Sequence, residues 1–276
     1  MFGSDRMTSV LYDTHAHLDF PDFAADLPGI LERAQAAGVE KIISIATSLE
    51  SSRRVIELAA RHPMIYAAVG VHPCNVRKSP DEIVEVLREL ARAPKVVAIG
   101  ETGLDYFHPP SKQGGTFEDD QRDRERQALL FEQHLSVAKE LDLNVVIHQR
   151  NSFVETVAQL QPWRGRLKFV FHCFGGTTAE AETVLSMGGF VSFTGILTFK
   201  NAGSLRDVMA RIPQERMFFE TDCPYLAPVP HRGKRCEPAH VRETALVAAK
   251  SRACELEELA ESTSAAARGF FRGLSI

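Results

Sequence analysis

The sequence predicts an α/β protein built as a closed (β/α)8 barrel, one domain over residues 1–276 with a C-terminal capping helix. Short β-branched runs alternate with longer amphipathic stretches along nearly the whole chain, and the alternation completes eight times. The runs are almost continuously apolar, as in parallel strands covered on both faces. No repeat, low-complexity tract or Pro/Gly-rich linker divides the 276 residues, a length that one large barrel accommodates. An open doubly wound sheet shares this local pattern, so closure is an expectation drawn from the count and the length.

In order, the expected strands are "SVLYDTH", "KIISIAT", "MIYAAVGVH", "KVVAIGE", "LNVVIHQ", "LKFVFHC", "GFVSFTG" and "RMFFETD". Helices are expected over residues 27–37, 52–61, 81–91, 124–141, 153–160, 178–187, 204–212 and 238–250, with 256–271 as the capping helix. Residues 106–123, "YFHPPSKQGGTFEDDQRD", read as one long inserted loop of the kind that caps a binding face or restricts entry to it. Residues 1–6 precede an alternative initiator, Met7, and are expected to be structurally idle.

Hydrophobic residues make up 44% and charged residues 25%, a balance that excludes disorder as the default and gives enough apolar surface for a large core. The net charge of -4 excludes a basic nucleic-acid-binding tail, so any polyanion needs a local basic cluster. Five scattered cysteines, with no CxxC pair, suit reduced thiols in a cytosol. The start lacks a secretory core and no window approaches the ~20 apolar residues of a membrane span, so a soluble cytoplasmic protein is expected.

Histidines and carboxylates gather at the C-terminal ends of the expected strands, the rim where barrel enzymes carry their chemistry. Strand 1 brings His15 and His17, strand 3 His72, strand 4 Glu101, strand 5 His148, strand 6 His172 and strand 8 Asp222. His15 and His17, one residue apart, project to the same face of an extended strand. His62, His134 and His240 fall on helices or their flanks and are expected at the solvated surface. Four histidines and two carboxylates converging on one barrel mouth are costly to bury without cations. Six ligands exceed the need of one tetrahedral ion and a carboxylate can bridge, which points to two divalent ions ~3.5–4 Å apart. The expected division gives one ion His15, His17 and Asp222, the other His148 and His172, and both Glu101. Zinc, manganese and magnesium all suit such donors. Two such ions activate water for hydrolysis, with Asp222 placed to accept its proton.

The ordered motifs "DTHAHLD", "GVHP", "GETGLDY", "VIHQR", "FHCFGG", "SFTGILTFKNA" and "ETDCPYLAP", followed by "HRGKRCEP", span nearly the whole chain. Together they resemble the TatD family of metal-dependent deoxyribonucleases, a TIM-barrel branch of the amidohydrolase-like metallohydrolases. The resemblance implies a two-metal phosphodiesterase that acts on DNA, often from the 3′ end, with single-stranded or frayed ends as the expected substrate. It assigns the metal ligands to His15, His17, Glu101, His148, His172 and Asp222, the same six, of which Glu101 and Asp222 are expected to be the catalytic pair. It also implies a substrate contact for His72. Arg150 and the run Arg232, Lys234 and Arg235 offer cations for phosphate. Hydrolysis of an amide, lactone or aminoacyl ester on the same scaffold is the alternative, and a monomer is the favoured state. Two positions depart from the family pattern: Cys236 stands where Asn is usual, and Asn151 where Asp is common. Cys173 is expected to pack rather than attack, because it should face away from His172. The "GGTT" at residues 175–178 suits either a phosphate cradle or a helix cap.

Overall fold

The computed structural model describes residues 9–274, so the expectation for residues 1–6 and Met7 lies outside the described residues. The first half runs β1 (Leu11–Ala16), α1 (Leu27–Ala36), β2 (Val39–Ile45), α2 (Leu49–Arg61), β3 (Ile65–Val69), α3 (Val84–Ala91), β4 (Val96–Asp105) and α4 (Phe117–Leu141). The second half runs β5 (Asn144–Arg150), α5 (Phe153–Leu160), β6 (Phe169–Phe171), α6 (Thr178–Ser186), β7 (Phe190–Phe193), α7 (Gly203–Arg211), β8 (Met217–Phe219), α8 (Val241–Arg252) and α9 (Leu256–Phe270). All eight strands pair in parallel in chain order. The segment after β8 closes the ring: Asp222 N–H donates to the His15 carbonyl at 2.8 Å, and His17 N–H to the Cys223 carbonyl at 2.9 Å.

The strands are buried along their middles, β5 opening to solvent at its C-terminal end, and their two faces feed two different cores. One face packs beneath the helices. The other lines the lumen, where Tyr12, Ile43, Tyr66, Val97, Val146, Val170, Phe190 and Phe218, one from each strand, form a single cluster. Helix α9 plugs this cluster from the N-terminal side of the strands. Its Phe270 ring lies 5.1 Å from Phe190 and 5.3 Å from Phe218, and Phe271 lies 5.8 Å from Phe218. The Asn144 side chain, at the first residue of β5, donates to the Phe270 carbonyl and fixes that position. Full burial of one such ring is worth about 1.5–3 kcal/mol.

The loop expected over 106–123 is shorter, because α4 begins at Phe117 rather than Arg124. Thr116 accepts from Asp119 N–H while the Asp119 carboxylate accepts from Thr116 N–H, and three acids occupy the first turn. Caps and acids of this kind satisfy and neutralise a helix N-terminus without apolar periodicity, which is why periodicity missed it. The remaining segment is tied down, since Ser111 donates from both its N–H (2.8 Å) and its hydroxyl (2.7 Å) to Asp120. Among the described residues no helix is long and apolar enough to cross a membrane.

Candidate metal centre

Alternation along β1 brings the Nε2 atoms of His15 and His17 within 3.3 Å of each other. The turn after β8 adds Asp222, whose Oδ1 lies 3.7 Å from His15 Nε2 and 3.4 Å from His17 Nε2. Glu101, on β4, sits between two groups of rings. Its Oε2 is 3.3 Å from His15 Nε2, while its Oε1 is 2.9 Å from His172 Nε2, 2.8 Å from His148 Nδ1 and 3.4 Å from His72 Nε2. The structure therefore brings together all six sequence-predicted ligands and His72. They form three overlapping triads whose donor atoms lie within 4.8 Å of one another: His15–His17–Asp222, His15–Glu101–His172 and His72–Glu101–His148.

The donor set fits divalent ions. Imidazole nitrogens bound to one tetrahedral zinc at about 2.0–2.1 Å stand roughly 3.3–3.4 Å apart, which is the His15–His17 spacing. The outer nitrogens of two rings are hydrogen-bonded so that the inner ones face the centre, and that of a third stands beside a carboxylate. His17 Nδ1 meets the Ile45 carbonyl at 3.0 Å, His148 Nε2 meets Asp105 Oδ2 at 3.0 Å, and His172 Nδ1 lies 3.3 Å from Glu220 Oε1. Such outer partners fix tautomer and ring orientation in metal sites. The buried Nδ1 atoms of His15 and His172 have no hydrogen-bond partner among the described residues.

Electrostatics matches this crowding. Burial opposes ionisation of Glu101, but the charges of His172, His72 and His15 and the His148 hydrogen bond outweigh it and hold the carboxyl well below its usual range. Burial likewise opposes a charged His172, yet Glu101 and Glu220 push its pKa well up. Asp13, on β1 and wholly buried, is raised to about 8 by desolvation despite bonds from the Thr221 hydroxyl (2.7 Å) and N–H (2.9 Å). That carboxyl latches the Asp222 turn to β1.

Backbone contact sets where Glu101 stands. Gly100 and Gly103 both have φ +136°, and a Cβ on Gly100 would fall 2.5 Å from the Val146 carbonyl oxygen, one on Gly103 onto that of His148. Only glycine lets β4 lie this close to β5 on either side of the acid.

The cations stand apart from the ring of ligands. The cavity over the centre is lined by Phe20, Thr47, Asn75 and Tyr225 together with His72 and five of the six ligands, and by none of Arg150, Arg232, Lys234 or Arg235. Arg150 lies over the Phe107 ring at 4.0 Å and Arg232 over Phe199 at 4.0 Å, while Arg235 pairs with Asp26 at 2.6 Å. Asp105, Glu220, Asp13 and the aromatic pair Phe20 and Tyr225 were not singled out from the sequence. Position was the available signal, since Glu220 precedes Asp222 by two and Asp105 ends "GETGLD".

Other expectations divide. Cys173 N–H donates to Glu220 at 2.7 Å, its Sγ rests 3.6 Å from the Thr194 hydroxyl and burial pushes the thiol to about 12, in keeping with packing. Thr177 and Glu180 form a capping box on α6, so the "GGTT" segment serves as a helix start. Cys236 is fully buried, and Asn151 adopts φ +56°, a left-handed conformation that Asn tolerates. His134 is not at the surface. It is completely buried on α4, its Nε2 accepts from Val71 N–H at 2.9 Å and its Nδ1 meets the Leu130 carbonyl at 2.6 Å. With both nitrogens satisfied a neutral imidazole is a tolerable core residue, and burial lowers its pKa to about 4. His240 is half-buried and stacked on His231 with ring centroids 3.9 Å apart.

The family model for TatD related DNase matches residues 12–272. The metal-dependent hydrolase YabD of Bacillus subtilis is 35% identical over 264 residues, covering 95% of this chain and 99% of its own. The 3′-5′ ssDNA/RNA exonuclease TatD of Erwinia tasmaniensis is 34% identical over 268 residues, with 95% and 99% covered. The crystal structure of YjjV, a TatD homologue from Escherichia coli, superposes with a TM-score of 0.87 at 32% identity over 96% of this chain and 99% of that one. This chain belongs to the TatD related DNase family of metal-dependent hydrolases.

Proposed function

We propose that this hydrolase cleaves DNA phosphodiester bonds with two divalent ions, working from the 3′ end of single strands or frayed duplexes. The observation that carries the reading is the division of Glu101, with Oε2 toward His15 and His17 and Oε1 toward His148 and His172. In this reading His15, His17 and Asp222 hold one ion, His148 and His172 hold the other, and Glu101 serves both. Zinc or manganese suits the imidazole-rich set, and magnesium the oxygen-bearing half. Bound there, the pair supplies a Lewis acid for a phosphoryl oxygen and lowers the pKa of attacking water. Asp222, whose side chain keeps 15% of its surface exposed against 2% for Glu101, is the more open carboxylate and is placed to accept that water's proton. His72, 3.4 Å from Glu101 Oε1, is placed to touch substrate. Arg232 and Lys234 hold the DNA backbone, and Arg235 joins them by exchanging Asp26 for a phosphate. The name of the Erwinia relative supports the polarity and the single-stranded preference.

The test is to strip the protein of metal and add back zinc, manganese or magnesium in turn. Each loaded form is then assayed against single-stranded and duplex oligonucleotides labelled at either end. Metal-dependent shortening from the 3′ end, faster on single strands, is expected. Glu101→Ala should lower the rate at least about a thousandfold, since several kcal/mol of charge stabilisation are lost. Cleavage at the wild-type rate by that variant, or no cleavage with any of the ions, rules the reading out.

A further inference from the structure

The last residue of β4 draws in more polar groups than a carboxylate has places for. Asp105 Oδ1 accepts from the backbone N–H groups of Phe107 at 2.9 Å and His108 at 3.0 Å. Its Oδ2 faces three further groups: His148 Nε2 at 3.0 Å, His108 Nδ1 at 2.9 Å and Cys74 Sγ at 3.6 Å. Two carboxylate oxygens offer about four lone-pair directions, and five groups converge on them. The Asp105 side chain is wholly buried, so water does not relieve the crowding.

Two of the converging atoms, with Oδ2 itself, have the chemistry and spacing of metal ligands. Thiolate, imidazole and carboxylate bound to one tetrahedral zinc, at about 2.3, 2.05 and 2.1 Å, stand roughly 3.4–3.6 Å from one another. The observed separations are 3.6 Å for Cys74 Sγ–Asp105 Oδ2, 2.9 Å for His108 Nδ1–Asp105 Oδ2 and 4.0 Å for Cys74 Sγ–His108 Nδ1. Each lies within about half an ångström of that range, a displacement that small side-chain rotations supply. The three residues also come from separate places: a turn after β3, the end of β4 and the loop that follows it. A cavity of about 420 Å³ lined by Cys74, Arg77, Lys78, His108 and Gln113 opens this cluster to solvent, and His108 is 42% exposed.

We propose that Cys74, Asp105 and His108 form a third cation site, distinct from the Glu101 centre, that takes a thiophilic divalent ion such as zinc and leaves a fourth position for water or a phosphate oxygen. Coordination releases the Cys74 proton to solvent and replaces two of the five groups on Asp105 with one metal bond, so the remaining groups match its lone pairs. His148 Nε2 continues to donate to Asp105. The two centres are therefore linked through one carboxylate, and filling the outer site makes Asp105 a firmer support for the His148 ring. The inference does not depend on which substrate the Glu101 centre cuts.

Cobalt(II) reports the site directly, because thiolate bound to cobalt absorbs in the near ultraviolet and none of the six residues around Glu101 is a thiol. Metal-free protein titrated with cobalt(II) should develop that band, and so should Cys173→Ala, which removes the cysteine beside His172. Cys74→Ala should lose the band, and zinc-loaded Cys74→Ala should hold one ion fewer per chain by elemental analysis. His108→Ala, at a half-exposed position that folding tolerates, should lose the same ion. A wild-type protein without the band, a band that survives in Cys74→Ala, or an unchanged zinc count in both variants overturns the proposal.

Discussion

The N-terminal end of the lumen is filled by Phe190, Phe218, Phe270 and Phe271, and the C-terminal end by His15, Glu101, His148 and His172. Both sets project from the same ring of strands. The aromatic end is completed within the chain, because α9 supplies the surfaces that its rings need. At the polar end ring nitrogens face ring nitrogens, at 3.3 Å across His15 and His17 and at 3.1 Å across His72 and His148. One end carries stability and the other the candidate metal ligands, so substitutions at the two ends should fail in different assays.

The largest expected effect is at the plug. Phe270→Ala should destabilise the fold by about 3–5 kcal/mol, read as a lower denaturant midpoint, with zinc affinity of the folded protein unchanged. A matching fall in metal affinity would break the separation between the ends. Next is His134, which stands outside both. Its folded pKa of about 4 lies below the ordinary 6.5, so the unfolded chain binds the proton first. Stability should fall as pH drops from about 6.5 toward 4, by roughly 3 kcal/mol when complete. His134→Gln should flatten that part of the pH–stability curve, and an unaltered curve would assign it to other groups.

Glu220→Gln sharpens the comparison from the polar side. It removes the carboxylate charge 3.3 Å from the outer nitrogen of His172 and should lower zinc affinity about 10–100-fold, measured by competition with a chelator, with little change in thermal midpoint. The smallest effect belongs to the basic loop. Replacing Arg232, Lys234 and Arg235 with alanine should weaken oligonucleotide binding and make its salt dependence shallower, by up to about one unit of slope for each phosphate left without its cation. Because Arg235 already pairs with Asp26, a drop nearer two units than three is expected.

The strand order and the six convergent residues were legible because each depends on a local signal: apolar runs for the strands, and a polar side chain just past each run for the rim. Asp105 and Glu220 were not, since their role is to hold another side chain, and such a partner is defined by proximity in space rather than by spacing. His134 was misread because a buried imidazole with both nitrogens bonded has no mark in a helical pattern. The start of α4 was misread for the opposite reason: the capping box at Thr116 was present in the sequence, but polar first turns carry no periodicity.

Gly100 and Gly103 carry a consequence for how this barrel can diversify. In a saturation library across β4, tolerance would track backbone clearance rather than chemistry, because the two positions flanking Glu101 and Thr102 admit no side chain. The strand cannot slip in register to offer another residue to the lumen. New specificities are free to arise in the loops that roof the cavity, while the acid that joins its two halves stays where the neighbouring strand presses it.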